Sequence, residues 1–322
     1  MKIAVLINEQ NFRKYTTSEH LSADYELMFF GNGSPDEDAV AASGAEMILA
    51  DAVLPITASL IERMPKLRLI QSQGVGYNRI DIKAAREAGV DVANCACANT
   101  NAVAEQTIML MLAVLKNIKE FDRAVYDGQQ ISAKNRCFSK GLKELRDCHV
   151  GIVGFGAVGR RTAELLRAFG SRVSYYNRTP KPDCGFEACS FDKILSDCDI
   201  VSLHLAAAPE TVGIIGAEAL SGMKQGSILI NTARGELVDQ NALCESLLSG
   251  RLAGAGLDVL SPEPVTADNP VLNLPADVRD RVVLSPHIGG LTEGFFRNSF
   301  DIIWENARRL NAGEEPINVV NR

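Results

Sequence analysis

Arg234, Glu263 and His287 are charged or titratable side chains that each follow a short apolar run. The three runs are Ser227–Asn231, 255–259 and Val282–Leu284. Such runs are typical of buried strands, and ligands collect at the carboxyl ends of parallel strands in an open α/β sheet. An arginine can bind a carboxylate through two parallel hydrogen bonds, and a histidine can act as a general acid or base. The pattern therefore predicts that the three side chains share one cleft.

The strongest local motif is the glycine run GFGAVG, which follows the apolar run HVGIV and opens a helical stretch. In that context Gly154 permits a tight turn, Gly156 lets the backbone approach a pyrophosphate, and Gly159 lets helix and strand pack closely. The anion would lie at the helix N-terminus, beside Ala157 and Val158. The motif predicts a dinucleotide-binding turn.

The residues after the next strand bear on which dinucleotide binds. That strand, RVSYY, is followed by Asn177, Arg178 and Thr179, where an NAD site usually has Asp or Glu. Asparagine does not repel a 2′-phosphate, and Arg178 can pair with one. We therefore expect NADP(H) to be preferred, with NAD(H) as the alternative. The competing interpretation is that Arg178 and Lys181 are solvated loop charges.

Composition limits the kinds of partner. The 322 residues include 33 Lys and Arg against 40 Asp and Glu, a net charge of −7, which argues against nucleic acid and against an anionic membrane surface. We expect no membrane-spanning segment. The cysteines form no C-x-x-C pair and no secretion signal is recognisable, so we expect reduced thiols, no metal site and a cytoplasmic protein. They are Cys95, Cys97, Cys137, Cys148, Cys184, Cys189, Cys198 and Cys244.

The order of apolar and amphipathic runs predicts the fold class. Short apolar runs alternate with helical stretches, which indicates βαβ units, parallel sheets and an α/β fold of two domains. Boundaries are expected near 99–101, where polar residues could cap a long helix, and near Gly289 and Gly290. Besides Ser227–Asn231, 255–259 and Val282–Leu284, the predicted strands are 3–7, 67–71, His149–Val153, Arg172–Tyr176 and 200–204.

Several stretches, in the same order along nearly the whole chain, resemble one family. They are GVGYNRID (74–81), VAEQ (103–106), the glycine run, INTARGELVD (230–239), AGAGLDVLSPEP (253–264) and SPHIGGLT (285–292). With these motifs the chain resembles the D-isomer-specific 2-hydroxyacid dehydrogenases.

The resemblance implies two Rossmann-like domains with parallel sheets and an active site in the cleft between them. Residues 1–99 and 290–322 would form a flavodoxin-like substrate-binding domain, to which the last helix returns. Residues 100–289 would form the dinucleotide-binding domain. A homodimer is expected, with the helix that begins near Asn101 at its interface.

The resemblance also implies roles for individual residues. Arg234, Glu263 and His287 would be catalytic, with His287 as proton donor to a 2-oxo acid. Substrate would be bound by Leu54, Gly74, Val75 and Gly76 together with Arg234 and His287. The cofactor would be bound by Thr107, Gly154, Gly156, Ala157, Val158, Gly159, Asn177, Arg178, Thr179, Leu205, Ala206, Thr232, Ala233, Asp258 and Gly289.

Two positions depart from the family pattern. The residues after the strand that ends near His204 include Ala206, Ala207 and Ala208 in place of Pro-Leu-Thr, so the backbone of that segment, and not its side chains, is expected to line the cofactor. Gln106 stands where histidine is frequent, and we expect this exchange to be neutral.

Alternative functions remain open from the sequence. The expected reaction is NAD(P)H-dependent reduction of glyoxylate, hydroxypyruvate or a bulkier 2-oxo acid to the D-2-hydroxy acid. Phosphite or 3-phosphoglycerate oxidation is an alternative enzyme activity, although no phosphate-binding arginine precedes Gly74. A non-catalytic, nucleotide-sensing binding protein of the same fold is an alternative of another class. Apolar or aromatic residues such as Tyr77, Phe295 and Phe296 would select the substrate side chain.

Overall fold

A computed structural model describes residues 1–181 and 184–322, which form two compact units. The first contains Met1–Asn99 and Leu291–Arg322, and the second contains Thr100–Gly290. Each unit is built on one sheet whose neighbouring strands all run parallel, with helices between them. The predicted α/β class with two parallel sheets is confirmed.

The first unit has the strand order β2-β1-β3-β4-β5, which is the flavodoxin-like order. Its interior strands β3 and β4 are buried along their whole length, and β1 is buried except at its first residue, as expected where helices cover both faces of a parallel sheet. The strands are β1 (Lys2–Leu6), β2 (Glu26–Phe29), β3 (Met47–Ala50), β4 (Leu69–Ser72) and β5 (Asp91–Ala93). The helices are α1 (Glu9–Tyr15), α2 (Glu37–Ala42), α3 (Ala58–Glu62), α4 (Ile82–Glu87) and, at the end of the chain, α13 (Glu293–Ala312).

Aromatic packing ties the last helix to the first unit. The ring of Phe12 on α1 lies 6.1 Å from Phe300 and 5.8 Å from Trp304 on α13, both edge-on. The Thr292 hydroxyl caps the helix by accepting from the Phe295 N–H at 3.1 Å, and Gly313 ends it in the left-handed conformation.

The second unit has the strand order β12-β11-β10-β9-β6-β7-β8. Its order reverses at β6, so β6 and β9 form the switch point at which doubly wound sheets bind ligands. The strands are β6 (His149–Val153), β7 (Arg172–Tyr176), β8 (Glu187–Ala188), β9 (Ile200–Leu203), β10 (Ser227–Asn231), β11 (Leu252–Leu257) and β12 (Val282–Leu284). The helices are α5 (Thr100–Leu115), α6 (Ile118–Tyr126), α7 (Gln130–Lys140), α8 (Ala157–Ala168), α9 (Phe191–Asp197), α10 (Ala217–Gly222), α11 (Gln240–Leu248) and α12 (Ala276–Arg279).

Helix α5 packs against the sheet at a position where a glycine of β11 faces it. A Cβ at Gly256 would come within 2.9 Å of the Leu110 Cβ. The expected polar cap of this helix is not formed by Thr100 or Asn101. The Thr100 hydroxyl has no hydrogen-bond partner among the described residues, and the Asn101 Oδ1 accepts from the Arg161 Nε at 2.8 Å.

The strands predicted from the sequence are present, with ends shifted by up to three residues. The runs HVGIV, RVSYY, SILIN and VVL match their strands at both ends. Four short strands were not predicted: β2, β3, β5 and β8. Length does not separate them from the predicted β4, β9 and β12, which have three or four residues. β2, β5 and β8 begin with Asp or Glu and are not fully buried, whereas β3 is a buried apolar run that the sequence analysis missed.

The described residues contain neither a membrane-spanning helix nor a metal-binding cluster. Across 1–181 and 184–322, no helix has the length and apolarity needed to cross a membrane. Within the same ranges, no group of three or more His, Cys, Asp or Glu is arranged to bind a metal ion.

The cysteines should differ strongly in reactivity. All eight are free thiols; Cys95 and Cys198 are buried, and Cys97 is exposed. Burial raises the pKa of both buried thiols to about 12, so at pH 8 they stay protonated and unreactive. We expect iodoacetamide at pH 8 to modify Cys97 and to spare Cys95 and Cys198, as read by peptide mass spectrometry. Unfolding in guanidinium should abolish this difference, and equal labelling in the folded protein would contradict it.

Candidate active site

The glycine turn after β6 has the close approaches that the sequence predicted. Gly154 has a φ of +96°, and a Cβ there would lie 2.6 Å from the His204 carbonyl oxygen. A Cβ at Gly159 would overlap the Gly154 carbonyl oxygen. The first glycine is therefore required between the ends of β6 and β9, and the third allows α8 to begin against the turn.

Gly156 differs from Gly154 and Gly159, because no atom lies within 4 Å of the position that its Cβ would occupy. Gly156 and Ala157 are exposed and Val158 is half-buried. The first N–H groups of α8 have no intrahelical acceptors, and they carry the positive end of the helix dipole. The open space in front of them fits the pyrophosphate of a dinucleotide.

Asn177 braces the glycine turn. Its Oδ1 accepts from the Phe155 N–H at 3.1 Å, and its Nδ2 donates to the Thr179 carbonyl at 2.7 Å. Arg178 is 85% exposed in its side chain, and its Nη1 lies 3.5 Å from the Glu210 Oε1. A carboxylate that the sequence did not predict therefore stands beside the arginine expected to bind a 2′-phosphate.

The segment after β9 packs beside the turn. Leu205 contacts the core of the unit, and its Cδ2 would lie 2.9 Å from a Cβ at Gly154. The exposed Ala206 is held by the Thr211 hydroxyl, which donates to its carbonyl at 2.7 Å. His204 is hydrogen-bonded to the Ser202 hydroxyl at 2.9 Å, and burial lowers its pKa to about 3. His204 is therefore uncharged near neutral pH.

Thr107 and Thr232 meet at the end of β10. Both are buried, and their hydroxyls lie 2.8 Å apart, while the Thr107 hydroxyl also contacts the Val103 carbonyl at 2.7 Å. Ala233 is half-buried, and its N–H donates to the Asn231 Oδ1 at 3.0 Å.

The Arg234 backbone is fixed by its neighbours on both sides. The Asn231 Nδ2 donates to the Arg234 carbonyl at 2.8 Å. Gly235 packs so closely on the next loop that a Cβ there would overlap the Leu260 carbonyl. The side chain is half-buried, and its Nη1 donates to the Ala233 carbonyl at 2.7 Å. The other guanidinium N–H groups have no partner among the described residues and can bind an anion.

Glu263 and His287 form a hydrogen-bonded pair. The His287 Nδ1 lies 3.0 and 2.9 Å from the two Glu263 carboxylate oxygens, and each side chain is 43% exposed. A carboxylate can only accept there, so Nδ1 carries a proton. Nε2 has no partner within the described residues, so the pair presents one free imidazole nitrogen that can give or take a proton.

Two residues missed by the sequence analysis hold the loop that carries Glu263. The Gln240 Nε2 and the Asn269 Nδ2 both donate to the Ser261 carbonyl, at 2.5 and 3.2 Å. The Asn269 Nδ2 also donates to the Gln240 Oε1 at 3.0 Å. No motif marks these amides; only the folded loop brings them together.

Asp258 is 2% exposed and organises the backbone around His287. Its Oδ1 accepts from the Ile288 N–H at 3.1 Å, and its Oδ2 accepts from the Gly289 N–H at 2.8 Å. Its carbonyl accepts from the His287 N–H at 2.8 Å. Gly289 has no room for a side chain, because a Cβ would lie 2.8 Å from the Asp258 Oδ2.

The first unit contains a second loop with free donors. Ser72 shapes it by donating to the Gly76 carbonyl at 2.7 Å, and the Asn94 Nδ2 donates to the Val75 carbonyl at 2.7 Å. A Cβ at Gly74 would lie 2.8 Å from the Ala52 Cβ. The N–H groups of Val75 and Gly76 have no acceptor among the described residues.

The structure thus brings some predicted site residues into contact and leaves others apart. Glu263 contacts His287, and Asp258 contacts Gly289, all beyond the carboxyl ends of β11 and β12. Arg234 follows the adjacent β10, and no hydrogen bond or ion pair joins it to Glu263 or His287 within the described residues. Leu54 is 6% exposed and lies in the core of the first unit.

Comparison with known proteins gives consistent matches. Residues 108–289 match the family model for the NAD binding domain of D-isomer specific 2-hydroxyacid dehydrogenases. A glyoxylate reductase of Korarchaeum cryptofilum is 36% identical over 272 residues, 83% of this chain and 80% of the relative. A hydroxypyruvate reductase of Blautia hydrogenotrophica is 32% identical over 290 residues, 89% of this chain and 88% of the relative.

A solved structure extends the match to the whole fold. The D-lactate dehydrogenase of Lactobacillus jensenii with NAD⁺ is 28% identical, with a TM-score of 0.83, and each chain is covered to 100%. The matches agree on a class of protein, the oxidoreductases that use a nicotinamide dinucleotide. The chain belongs to the D-isomer specific 2-hydroxyacid dehydrogenase family, and the family predicted from the motifs is confirmed.

Proposed function

We propose that this enzyme reduces a small 2-oxo acid to the D-2-hydroxy acid, with His287 as the proton donor. The observation that carries the proposal is the hydrogen-bonded Glu263–His287 pair, 2.9 Å apart, at the carboxyl edge of the dinucleotide-binding sheet. Reduction of a carbonyl requires a proton donor, and the free Nε2 of that imidazole can serve as one.

The roles of the residues follow from their chemistry. A reduced nicotinamide, when bound, would supply the hydride that the carbonyl carbon receives. Negative charge then grows on the carbonyl oxygen, to which His287 Nε2 gives its proton. Glu263 accepts the hydrogen bond from the His287 Nδ1–H, so Nε2 alone exchanges the proton with substrate. Arg234 binds the carboxylate and the carbonyl oxygen, which orients the substrate and polarises the C=O bond.

The loop of the first unit has the chemistry to bind the substrate carboxylate. The N–H groups of Val75 and Gly76 lack acceptors, and successive free N–H groups bind anions. Gln73 precedes this loop, is 7% exposed, and its buried Nε2 has no partner among the described residues. Because this donor is buried, it gives no preference among substrates; the similarity to a glyoxylate reductase and a hydroxypyruvate reductase is what favours a small 2-oxo acid. Leu54 is buried in the core of this unit, so it would affect substrate binding only by packing beneath the binding surface.

The test is a panel of 2-oxo acids assayed with both reduced nicotinamide cofactors. Glyoxylate, hydroxypyruvate, pyruvate and a branched 2-oxo acid cover the size range, and 3-phosphoglycerate and phosphite cover the oxidative alternatives with the oxidised cofactors. We expect the highest kcat/KM with hydroxypyruvate or glyoxylate. Binding of the dinucleotide without turnover of any substrate would favour a non-catalytic nucleotide sensor instead.

We further propose NADPH as the preferred cofactor. The support is the absence of Asp or Glu at 177, together with the exposed Arg178 beside it. Glu210 weakens this preference, because its carboxylate lies 3.5 Å from the Arg178 guanidinium and must move aside for a phosphate.

Substitutions at these two positions should change cofactor choice in opposite directions. Arg178→Ala should lower the ratio of kcat/KM for NADPH to that for NADH by about tenfold, the value of one charge-assisted bond. Glu210→Gln should raise the same ratio by about threefold, because a nearby like charge is removed. Arg172→Ala is the matched control, an exposed arginine paired with Glu187 at the other end of the strand. An unchanged ratio in Arg178→Ala would reduce Arg178 to a solvated loop charge.

A homodimer is the assembly we propose. An apolar groove on α5 and α8 is lined by residues that include Met109 and Phe169, both exposed. Tyr126 on α6 and Phe138 on α7 are 86% and 78% exposed. Large apolar side chains concentrated on one unit are typical of a protein interface, and a second copy can cover them symmetrically.

Charges placed in this groove should therefore dissociate the protein. We expect Met109→Glu combined with Phe169→Glu to give monomers in sedimentation equilibrium at micromolar concentration, where the unsubstituted chain sediments as a dimer. Leu248→Glu is the control, an exposed apolar residue outside the groove that should leave the dimer intact. A monomeric unsubstituted chain would contradict the proposal.

For the cellular location we propose the cytoplasm, because its reducing conditions suit a protein with eight free thiols.

A further inference from the structure

Gln106, on α5, begins a chain of hydrogen bonds that leads to the backbone of His287. Its Nε2 donates to the Ser285 hydroxyl at 2.8 Å, and that hydroxyl donates to the Asp258 Oδ1 at 2.5 Å. Gln106 and Ser285 are 179 residues apart in sequence, so only the folded unit joins them.

The end of this chain needs neutral donors. Asp258 is buried, and no lysine, arginine or histidine among the described residues forms an ion pair with it. A buried carboxylate without a cation is stable only when its oxygens accept enough hydrogen bonds. Its donors are the Ser285 hydroxyl and the N–H groups of Ile288 and Gly289. Loss of the hydroxyl would leave the two backbone bonds to hold the charge alone.

The number of protons on each group determines which atom donates in each of these hydrogen bonds. A hydroxyl has one proton, and an ionised carboxylate only accepts, so the Ser285 proton lies on the Asp258 side. The Gln106 atom that contacts Ser285 must then be the amide nitrogen, because the amide oxygen would face a lone pair. The amide nitrogen of Gln106 cannot accept the Ser285 proton. The Ser285 hydroxyl therefore donates to the Asp258 carboxylate.

His287 needs this support because of its backbone. Its φ is +55°, in the left-handed region that residues other than glycine occupy only when their surroundings hold them there. The surroundings are three successive N–H groups, those of His287, Ile288 and Gly289, all bonded to Asp258. The aliphatic part of Gln106 packs on the same turn, since a Cβ at Gly289 would lie 3.2 Å from the Gln106 Cγ.

We infer that Gln106 is a positioning residue for His287, acting through Ser285 and Asp258 to hold the imidazole with Nδ1 on Glu263 and Nε2 free. The inference rests on the proposed function, since it assigns a purpose to the proton donor. It also replaces our expectation from the sequence that glutamine at 106 is neutral.

The experiment compares variants that differ in what residue 106 can donate. Gln106→Met keeps the length and removes the donor, and we expect kcat to fall about tenfold with the KM for NADPH unchanged, because the proton donor is misplaced. Gln106→Glu makes two carboxylates compete for the Ser285 proton, and we expect a fall of about a hundredfold. Gln106→His provides a ring N–H of similar reach, and we expect kcat within about threefold of the original.

Hydrogen–deuterium exchange of the chain without cofactor gives a readout independent of turnover. In Gln106→Met and Gln106→Glu the amides of Ile288 and Gly289 should exchange about tenfold faster, and Gln106→His should restore their protection. Gln225→Met is the matched control. It removes another glutamine bond in the same unit, from Nε2 to the Gly250 carbonyl at 2.8 Å, and should change neither kcat nor exchange at 288 and 289.

The outcomes separate the two proposals. Wild-type kcat in Gln106→Met, with or without faster exchange, would overturn the positioning role. Loss of kcat in Gln106→Met without rescue by Gln106→His would also overturn it, because the donor would then not be the feature that matters. Failure of the unsubstituted protein to reduce any 2-oxo acid, or full activity in His287→Gln, would instead overturn the proposed function.

Discussion

Replacing His287 by glutamine is expected to lower kcat for 2-oxo acid reduction by about a thousandfold, within the range measured for loss of a general acid. The loss corresponds to about 4 kcal/mol of transition-state stabilisation. Glutamine retains a polar side chain at a similar reach but cannot release a proton to the substrate oxygen. Steady-state kinetics with saturating cofactor measure the effect.

Two further readouts distinguish loss of the proton donor from a damaged fold. NADPH affinity, followed by fluorescence titration, should stay within about twofold, because His287 contributes no bond to the dinucleotide in our proposal. The thermal midpoint should also match that of the unsubstituted enzyme, because the His287 side chain is partly exposed. Reduction by His287→Gln at the rate of the unsubstituted enzyme would show that another group donates the proton.

The sequence predicted the parts of the fold that depend on local pattern. The strands HVGIV and SILIN are buried on nearly every residue, so an uninterrupted apolar run marks them. The glycine turn was predictable for a different reason, because the Gly154 conformation and the Gly159 contact exclude side chains. The strands ELMF and DVA lack both signals. They owe their conformation to the neighbouring strands with which they pair.

Residue types at the site were predictable, but their partners were not. Arg178 is conspicuous in the sequence, whereas Glu210, 32 residues further on, reaches it only in the folded chain. Apolar positions were also ambiguous, because the same side chain serves a core or a pocket. Phe295 is in the core of the first unit, and Phe296 stacks on Tyr15 at 5.2 Å, which leaves packing as their main role.

Replacing Arg234 is expected to cause the second large loss of activity. Lysine and glutamine replacements separate the contribution of the planar guanidinium from that of its charge. Arg234→Lys keeps the positive charge but loses the planar fork, and we expect kcat/KM to fall about a hundredfold. Arg234→Gln loses the charge as well, and we expect a further fall of about tenfold to a hundredfold. KM for the 2-oxo acid should rise because carboxylate binding weakens, and kcat should fall because the carbonyl is less polarised.

The backbone around residue 234 should not change in these variants, because it is held by Asn231 and by the glycine contact at Leu260 rather than by the guanidinium. Thermal midpoints and NADPH affinity are therefore expected to match those of Arg279→Lys, an exposed arginine of the same unit. Equal activity of the lysine variant and the original enzyme would mean that charge alone suffices and that the fork does not orient the substrate. A fall in kcat with KM unchanged would remove Arg234 from carboxylate binding and leave it only the carbonyl oxygen, which would place the carboxylate on the N–H groups of Val75 and Gly76.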